Sequence, residues 1–179
     1  MEASELFVLV DEHDRVLGSV SPQRCLREGL RHQAVAVLLF NAGGELYIQL
    51  RSQRMQWYPN VWTASATGHV RYGETYKQAA LRELQEELGI RCKLRMLGKL
   101  LTPTWRYGEV TELEFITVFE GHWNEMICPR NEEVAGGEYI ALDRLGREIA
   151  EGARNCTPDL LLALALLRRD DENRYETVV

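Results

Sequence analysis

Residues 68 to 90 read GHVRYGETYKQAALRELQEELGI, and this segment constrains the fold and chemistry of the chain more than any other. Glu83, Glu86 and Glu87 stand at i, i+3 and i+4, so a helix through them gathers three carboxylates on one face. Like charges so close repel, and they shift one another's pKa unless a hard divalent cation neutralises them; oxygen-rich sites of this kind suit Mg²⁺ or Mn²⁺. Thr75 and Gln78 form a capping box, and Gly89 with Ile90 supplies a C′ glycine and the apolar residue after it. The spacing therefore predicts a helix from about Tyr76 to Leu88. Ala80, Leu84 and Leu88 give it a buried stripe and turn its acidic face toward the loop from Gly68 to Gly73. A solvated glutamate-rich face is the ordinary explanation of such a charge run. It leaves Gly68, Glu74, Arg82 and Gly89 at their fixed offsets without a reason.

The same string fits the pattern GX5EX7REUXEEXGU, with U aliphatic, at every specified position, and the chain thereby resembles the Nudix hydrolase superfamily. That resemblance implies an α/β/α sandwich, of class α/β (α+β), that depends on a divalent cation and cleaves a diphosphate linked to another moiety. It implies Glu83, Glu86 and Glu87 as metal ligands and catalytic groups, with Gly68 offering its carbonyl to the metal. Arg82 and Glu74 would brace loop and helix by ion pairing.

Length and charge set further bounds. A chain of 179 residues that is 45% hydrophobic suits one domain, spanning 1–179. A net charge of −6 and a pI near 5.3 provide no electrostatic footprint for a nucleic-acid polymer. Cys25, Cys92, Cys128 and Cys156 are widely spaced without a CxxC, the usage of reduced thiols in a cytoplasm. Acids stand at the amino end where a signal peptide needs bases, and the run from Leu160 to Leu167 is too short to span a bilayer. A soluble cytoplasmic protein, monomer or homodimer, with no membrane partner is expected.

Apolar runs at Leu6 to Val10 and Arg15 to Val20 flank a polar turn, the pattern of an N-terminal β-hairpin. Ser21 to Glu28 reads as a short helix capped by Ser21 with proline at N1. Strands are expected at Ala34 to Phe40, Glu45 to Arg51, Lys93 to Leu101, Glu112 to Phe119 and Gly137 to Leu142, with Val61 to Ala66 leading into the segment that starts at Gly68. Helices are expected at Asp143 to Glu151 and Pro158 to Arg169, and the charged stretch Asp170 to Val179 is expected to fray. This interleaving points to a mixed sheet with helices on both faces.

A narrower resemblance covers most of the chain. DEHDRVLGSV, LRHQAVAVLLFNAGGELYIQLRS, YPNVWTASATGH and CTPDLLLALALL are similar to the Nudix branch that holds type I isopentenyl diphosphate isomerase and its hydrolase relatives. The resemblance places His32, His69, Glu112 and Glu114 where that enzyme's metal ligands and acidic catalyst lie. His69 and Glu112 are thereby metal-ligand candidates and Glu114 a catalytic one. Thr67 occupies the position of the enzyme's proton-moving cysteine, and Cys25 that of a further histidine ligand. A hydroxyl does not replace a thiol that titrates near neutrality.

Each has a plainer alternative. A lone histidine is often only hydrogen bonded in place, and Glu112 and Glu114, alternating with Leu113 and Phe115, would share an exposed strand face. Glu133 competes for the role of base. Arg51, Arg54, His32 and Trp105 are candidate substrate contacts, within two aromatic-basic clusters that also contain Trp57, Tyr58, Arg106 and Tyr107; Trp62 is assigned to the core. The expected function is Mg²⁺-dependent hydrolysis of a small diphosphate, nucleoside diphosphate derivatives first. An allylic diphosphate isomerase and a non-catalytic module that binds a nucleotide-like ligand are the alternatives.

Overall fold

The structure, a computed structural model, describes residues 6–129 and 132–176, with side chains described in the last helix as far as Asp170. At the amino end, β1 (Phe7–Val10) and β2 (Val16–Val20) pair as the expected antiparallel hairpin. Asp14 in its turn takes a left-handed φ of 60°, which aspartate tolerates better than most residues. Helix α1 (Pro22–Glu28) follows. Ser21 makes no side-chain capping bond, contrary to expectation; the helix starts on the fixed φ of Pro22.

Strand β3 (His32–Phe40) is buried at every residue. Its alternation divides it between two cores. Val35, Val37 and Leu39 face one way with Ala66, Val70, Ala80, Leu84 and Leu88, while Ala34, Ala36, Leu38 and Phe40 face the other with Leu145, Leu160 and Ala163. A strand with helices on both its faces reads as the near-continuous apolar run seen here.

The remaining elements are β4 (Leu46–Arg51), β5 (Trp62–Thr63), β6 (Ala66–His69), α2 (Tyr76–Glu83), a π-helical turn (Leu84–Leu88), β7 (Leu94–Leu101), β8 (Trp105–Tyr107), β9 (Val110–Glu112), β10 (Glu114–His122), β11 (Val134–Ile140), α3 (Leu142–Ala150) and α4 (Pro158–Glu176). Nine strands form one mixed sheet. Strands β11, β4, β3, β1 and β2 run in that order; β10 pairs parallel with β3 and antiparallel with β7, and β6 pairs antiparallel with β3. With α2 over one core and α3 and α4 over the other, this is an α+β sandwich of three layers.

Several sequence boundaries move. Val61 to Ala66 divides into β5 and β6; Trp105 to Tyr107, expected in a loop, pairs with β9 as a separate ribbon. Leu142 begins α3 instead of ending a strand. The charged tail continues α4 to Glu176 where fraying was expected; residues 177–179 lie outside the described part. Among the described residues, no helix is long and apolar enough to cross a membrane.

Candidate functional site

The capping box forms as the sequence predicts: the Thr75 side chain accepts from the Gln78 amide, and the Gln78 side chain from the Thr75 amide. Gly89 closes the other end at φ 71°. Between them the helix departs from expectation. It is α only to Glu83, and Leu84–Leu88 winds as a π turn, a feature common at functional sites. The buried stripe holds regardless, with Ala80, Leu84 and Leu88 in the core.

Gly68 faces this helix at close range. A Cβ at residue 68 would lie 2.0 Å from Glu83 Oε1, so only glycine lets the carboxylate rest against the β6 backbone. Arg82 ties the arrangement together. Its Nε and Nη2 donate to Glu74 at 2.8 and 3.0 Å, its Nη1 to Glu83 at 2.6 Å and Glu86 at 3.2 Å, and its Nη2 also to the His69 carbonyl at 2.9 Å. Arg71 reaches both oxygens of Glu86 at 3.3 Å.

Burial acts strongly on the acids. Glu83 is pushed up to about 7, by burial first and then against the pull of Arg82. Glu87 is 5% exposed and raised well above the usual carboxylate range by burial and by Glu83, although Gln49 Nε2 donates to it at 2.5 Å.

A second group sits beside the first. Parallel pairing of β10 with β3 sets Glu114 opposite His32, and β6 sets His69 opposite Ala34. Nε2 of His32 and Nε2 of His69 each lie 3.1 Å from Glu114 Oε1. His32 Nδ1 contacts the Leu30 carbonyl at 2.9 Å, and a carbonyl only accepts, so Nδ1 carries a proton. Phe7 stacks on both rings, at centroid distances of 4.1 Å for His69 and 5.3 Å for His32. Burial pulls His32 down, but hydrogen bonds to Cys25 and Glu114 outweigh it and raise it to about 10; Glu114 is correspondingly held low by the two histidines despite its burial. His69 is lowered, by burial first. These three ligand atoms lie within 4.8 Å of one another, a spacing that could hold a metal ion.

Both groups border one cleft of about 580 Å³, lined also by Arg51, Arg54, Trp57, Tyr58, Thr67, Gly68, Arg71, Glu112, Glu133 and Asp159. Placement corrects several sequence expectations. Glu112 and Glu114 do not share a strand, since Leu113 breaks β9 from β10; Glu114 is 4% exposed, not on an exposed face. Glu112 is raised to about 7, by burial and then by Glu114. His32 is fully buried and is not among the residues lining the cleft. Trp105 likewise lies outside the lining, while Trp57 and Tyr58 belong to it. Arg51 spends Nε and Nη2 on the Trp57 carbonyl, and Arg54 pairs with Glu132. Cys25 is buried, with Sγ 3.4 Å from the Leu30 carbonyl. Trp62 packs against the second core under Arg154.

Sequence reasoning missed Phe7, Gln49, Arg71 and Asp159. Asp159 carries the least obvious signal. Its Oδ1 is shut off from solvent and has no hydrogen-bond partner among the described residues, a state that costs about 1–3 kcal/mol.

A family model described as the NUDIX domain matches residues 30–160. The chain belongs to the Nudix family. Residues 68–90 are its Nudix box. An uncharacterised Nudix hydrolase of Pseudomonas aeruginosa is 38% identical over 165 residues, covering 91% of this chain and 93% of its relative. An isopentenyl-diphosphate Delta-isomerase of Serratia proteamaculans is 28% identical over 171 residues, 96% of each chain. Among solved structures, a Deinococcus radiodurans protein superposes with a TM-score of 0.73 at 29% identity, covering 92% of this chain and 98% of that one. The Nudix sandwich expected from residues 68–90 is thus the observed fold.

Proposed function

We propose that this protein hydrolyses the diphosphate linkage of a small organic diphosphate, in a reaction that depends on Mg²⁺ or Mn²⁺. One observation carries the reading: three box carboxylates line one cleft together with Gly68, two of them buried enough to be raised, and Glu83 rests against the bare Gly68 backbone. Buried acids with raised pKa values are what an oxygen-ligated cation would relieve, so the residues fit the group.

Glu83, Glu86, Glu87 and the Gly68 carbonyl would hold it. Bound there, the cation supplies charge neutralisation for the diphosphate and acidifies an attacking water. The chain's own residues do the rest. Arg82 and Glu74 keep the Gly68 loop against the helix, and Gln49 aims Glu87. Arg71, at the cleft wall beside Glu86, offers positive charge to phosphate oxygens. The water's proton passes to a cleft carboxylate outside the metal set, for which Glu133, also on the cleft wall, is the candidate.

Nucleoside diphosphate derivatives are the first class to test. Phosphate release is to be measured over a varied diphosphate panel with Mg²⁺ and with Mn²⁺, for the wild type and Glu87→Gln. Metal-dependent release by the wild type alone supports the reading; release that persists in the variant overturns it.

The His32, His69 and Glu114 group favours a second reading, isomerisation of an allylic diphosphate, in line with the isomerases among the relatives. Thr67 argues against it. That reaction needs a titrating group on each side of the substrate, and a threonine hydroxyl does not titrate near neutrality.

A further inference from the structure

The first turn of α4 is fastened to the sheet. Thr157 donates its amide to the Trp62 carbonyl at 2.8 Å and its hydroxyl to Thr63 at 2.9 Å, and Trp62 takes the Asn155 carbonyl at 3.0 Å. Pro158 then opens the helix, which fixes Asp159 on the cleft wall. Its Oδ1 is shielded from solvent without a partner among the described residues. Buried polar atoms in native proteins are nearly always paired, so such an orphan marks a place where a bound molecule completes the bonding.

The surroundings say what kind of molecule. Asp159 shares its electrostatic neighbourhood with Glu112, Glu114, Arg51 and Tyr58, whereas Arg82, Arg71, Gln49, Glu133 and the Thr67 backbone act on Glu83 and Glu87. Asp159 thus stands beside Glu112 and Glu114, an acceptor-rich surrounding that suits a donor group and repels a phosphate. Trp57 and Tyr58 line the same cleft and provide flat aromatic surface.

We propose that Asp159 is a specificity-determining residue that hydrogen-bonds a donor group, amino or hydroxyl, on the non-phosphate part of the substrate, so that the cleft selects polar-headed diphosphates over hydrocarbon ones. This rests on the diphosphate reading above and deepens it. A site with an unpaired buried polar atom rejects a ligand that cannot satisfy it far more strongly than an apolar pocket rejects an added hydroxyl. A hydrocarbon diphosphate would leave Oδ1 unpaired, as it is in the free protein; a nucleoside diphosphate would pair it.

The test compares the wild type with Asp159→Leu and Asp159→Asn by isothermal titration with Mg²⁺ at low temperature. The probes are the four common ribonucleoside diphosphates, isopentenyl diphosphate and inorganic pyrophosphate, which has no head group. Asp159→Leu is expected to weaken the best nucleoside diphosphate at least about tenfold, to leave pyrophosphate within about twofold, and to narrow or reverse the preference over isopentenyl diphosphate. Asp159→Asn, which keeps shape and an accepting oxygen, should stay within about threefold of the wild type. Equal losses for nucleoside diphosphates and pyrophosphate would assign Asp159 a structural role and overturn the inference. So would unchanged nucleoside affinity in Asp159→Leu. If the wild type binds neither pyrophosphate nor any diphosphate, the diphosphate reading itself falls, and this inference with it.

Discussion

Glu83 rests its carboxylate against Gly68 so closely that a methyl group on residue 68 would lie 2.0 Å from Oε1 and 2.2 Å from the carboxyl carbon. Two parts of the box, fifteen positions apart, are thereby made mutually dependent. Gly68→Ala should destabilise the metal-free protein by about 1–3 kcal/mol, the usual cost of overpacking. In a Glu83→Ala background the same change should cost little, because the clashing atoms are gone. Urea unfolding of the four proteins in that cycle measures the coupling; additive effects would mean that the contact is not the cause.

Glu86 and Glu87 differ in a way that their spacing does not reveal. Either change to glutamine should lower turnover at least ~10²-fold, or ~2.7 kcal/mol of transition-state stabilisation. Their effects on metal-free stability should differ. Glu87→Gln removes charge from a buried site and should leave the melting temperature unchanged or higher. Glu86→Gln gives up contacts with Arg71 and Arg82 and should lower it slightly. Calorimetry in chelator, beside steady-state rates with metal, separates the two.

Arg82 touches Glu74, Glu83, Glu86 and the His69 carbonyl from a side chain 15% exposed. Arg82→Ala leaves the partly buried carboxylates of Glu74 and Glu83 unpaired and should cost on the order of 3 kcal/mol. Lysine should rescue poorly, since one ammonium cannot span partners that the guanidinium fork reaches together. A variant with native melting and only a raised Michaelis constant would instead make Arg82 a ligand contact.

Tyr76 donates to both carboxylate oxygens of Asp14, at 2.9 and 3.0 Å. Burial first, and then Asp14, raise its phenol above the ordinary value near 10. A group whose folded pKa exceeds its unfolded one contributes stability that is complete below the unfolded pKa and lost as pH rises beyond it. Tyr76→Phe should therefore cost about 1.5 kcal/mol at pH 8 and progressively less above about pH 10. Melting curves of both proteins from pH 8 to 11 test this; a gap that widens would contradict it.

Thr67 lies in the cleft where the isomerase reading needs a proton carrier. The wild type should neither exchange deuterium from solvent into isopentenyl diphosphate nor form dimethylallyl diphosphate, with Mg²⁺ or Mn²⁺ present. Proton NMR in D₂O over hours at high protein concentration is the measurement. Clear conversion would move isomerisation into first place.

What the sequence made legible was local. The Thr75 and Gln78 cap, the Gly89 stop and the Ala80, Leu84, Leu88 stripe depend on residues within one or two helical turns, and each is where its spacing put it. The meeting of His32, His69 and Glu114 depends instead on a parallel pairing between strands 82 residues apart, which periodicity does not encode. Resemblance to a family, not spacing, brought those residues forward. Asp159 was hidden for another reason. Thr157, Pro158 and Asp159 read as an ordinary helix start, where an acid in the first turn is favoured by the helix dipole and calls for no further explanation. Composition also does not tell which aromatics of the two clusters reach the cleft: Trp57 and Tyr58 line it and Trp105, paired opposite Glu112 in a β-ribbon, does not.

The π turn at Leu84–Leu88 makes chain length a tuning variable inside the box. A π turn accommodates one residue more than an α turn. Removing Gln85 would let the segment rewind as a regular α-helix, gaining helical order while moving Glu87 from i+4 to i+3 of Glu83. At this point in the chain, the most regular backbone and the native spacing of the carboxylates are competing outcomes, and the native length keeps the spacing.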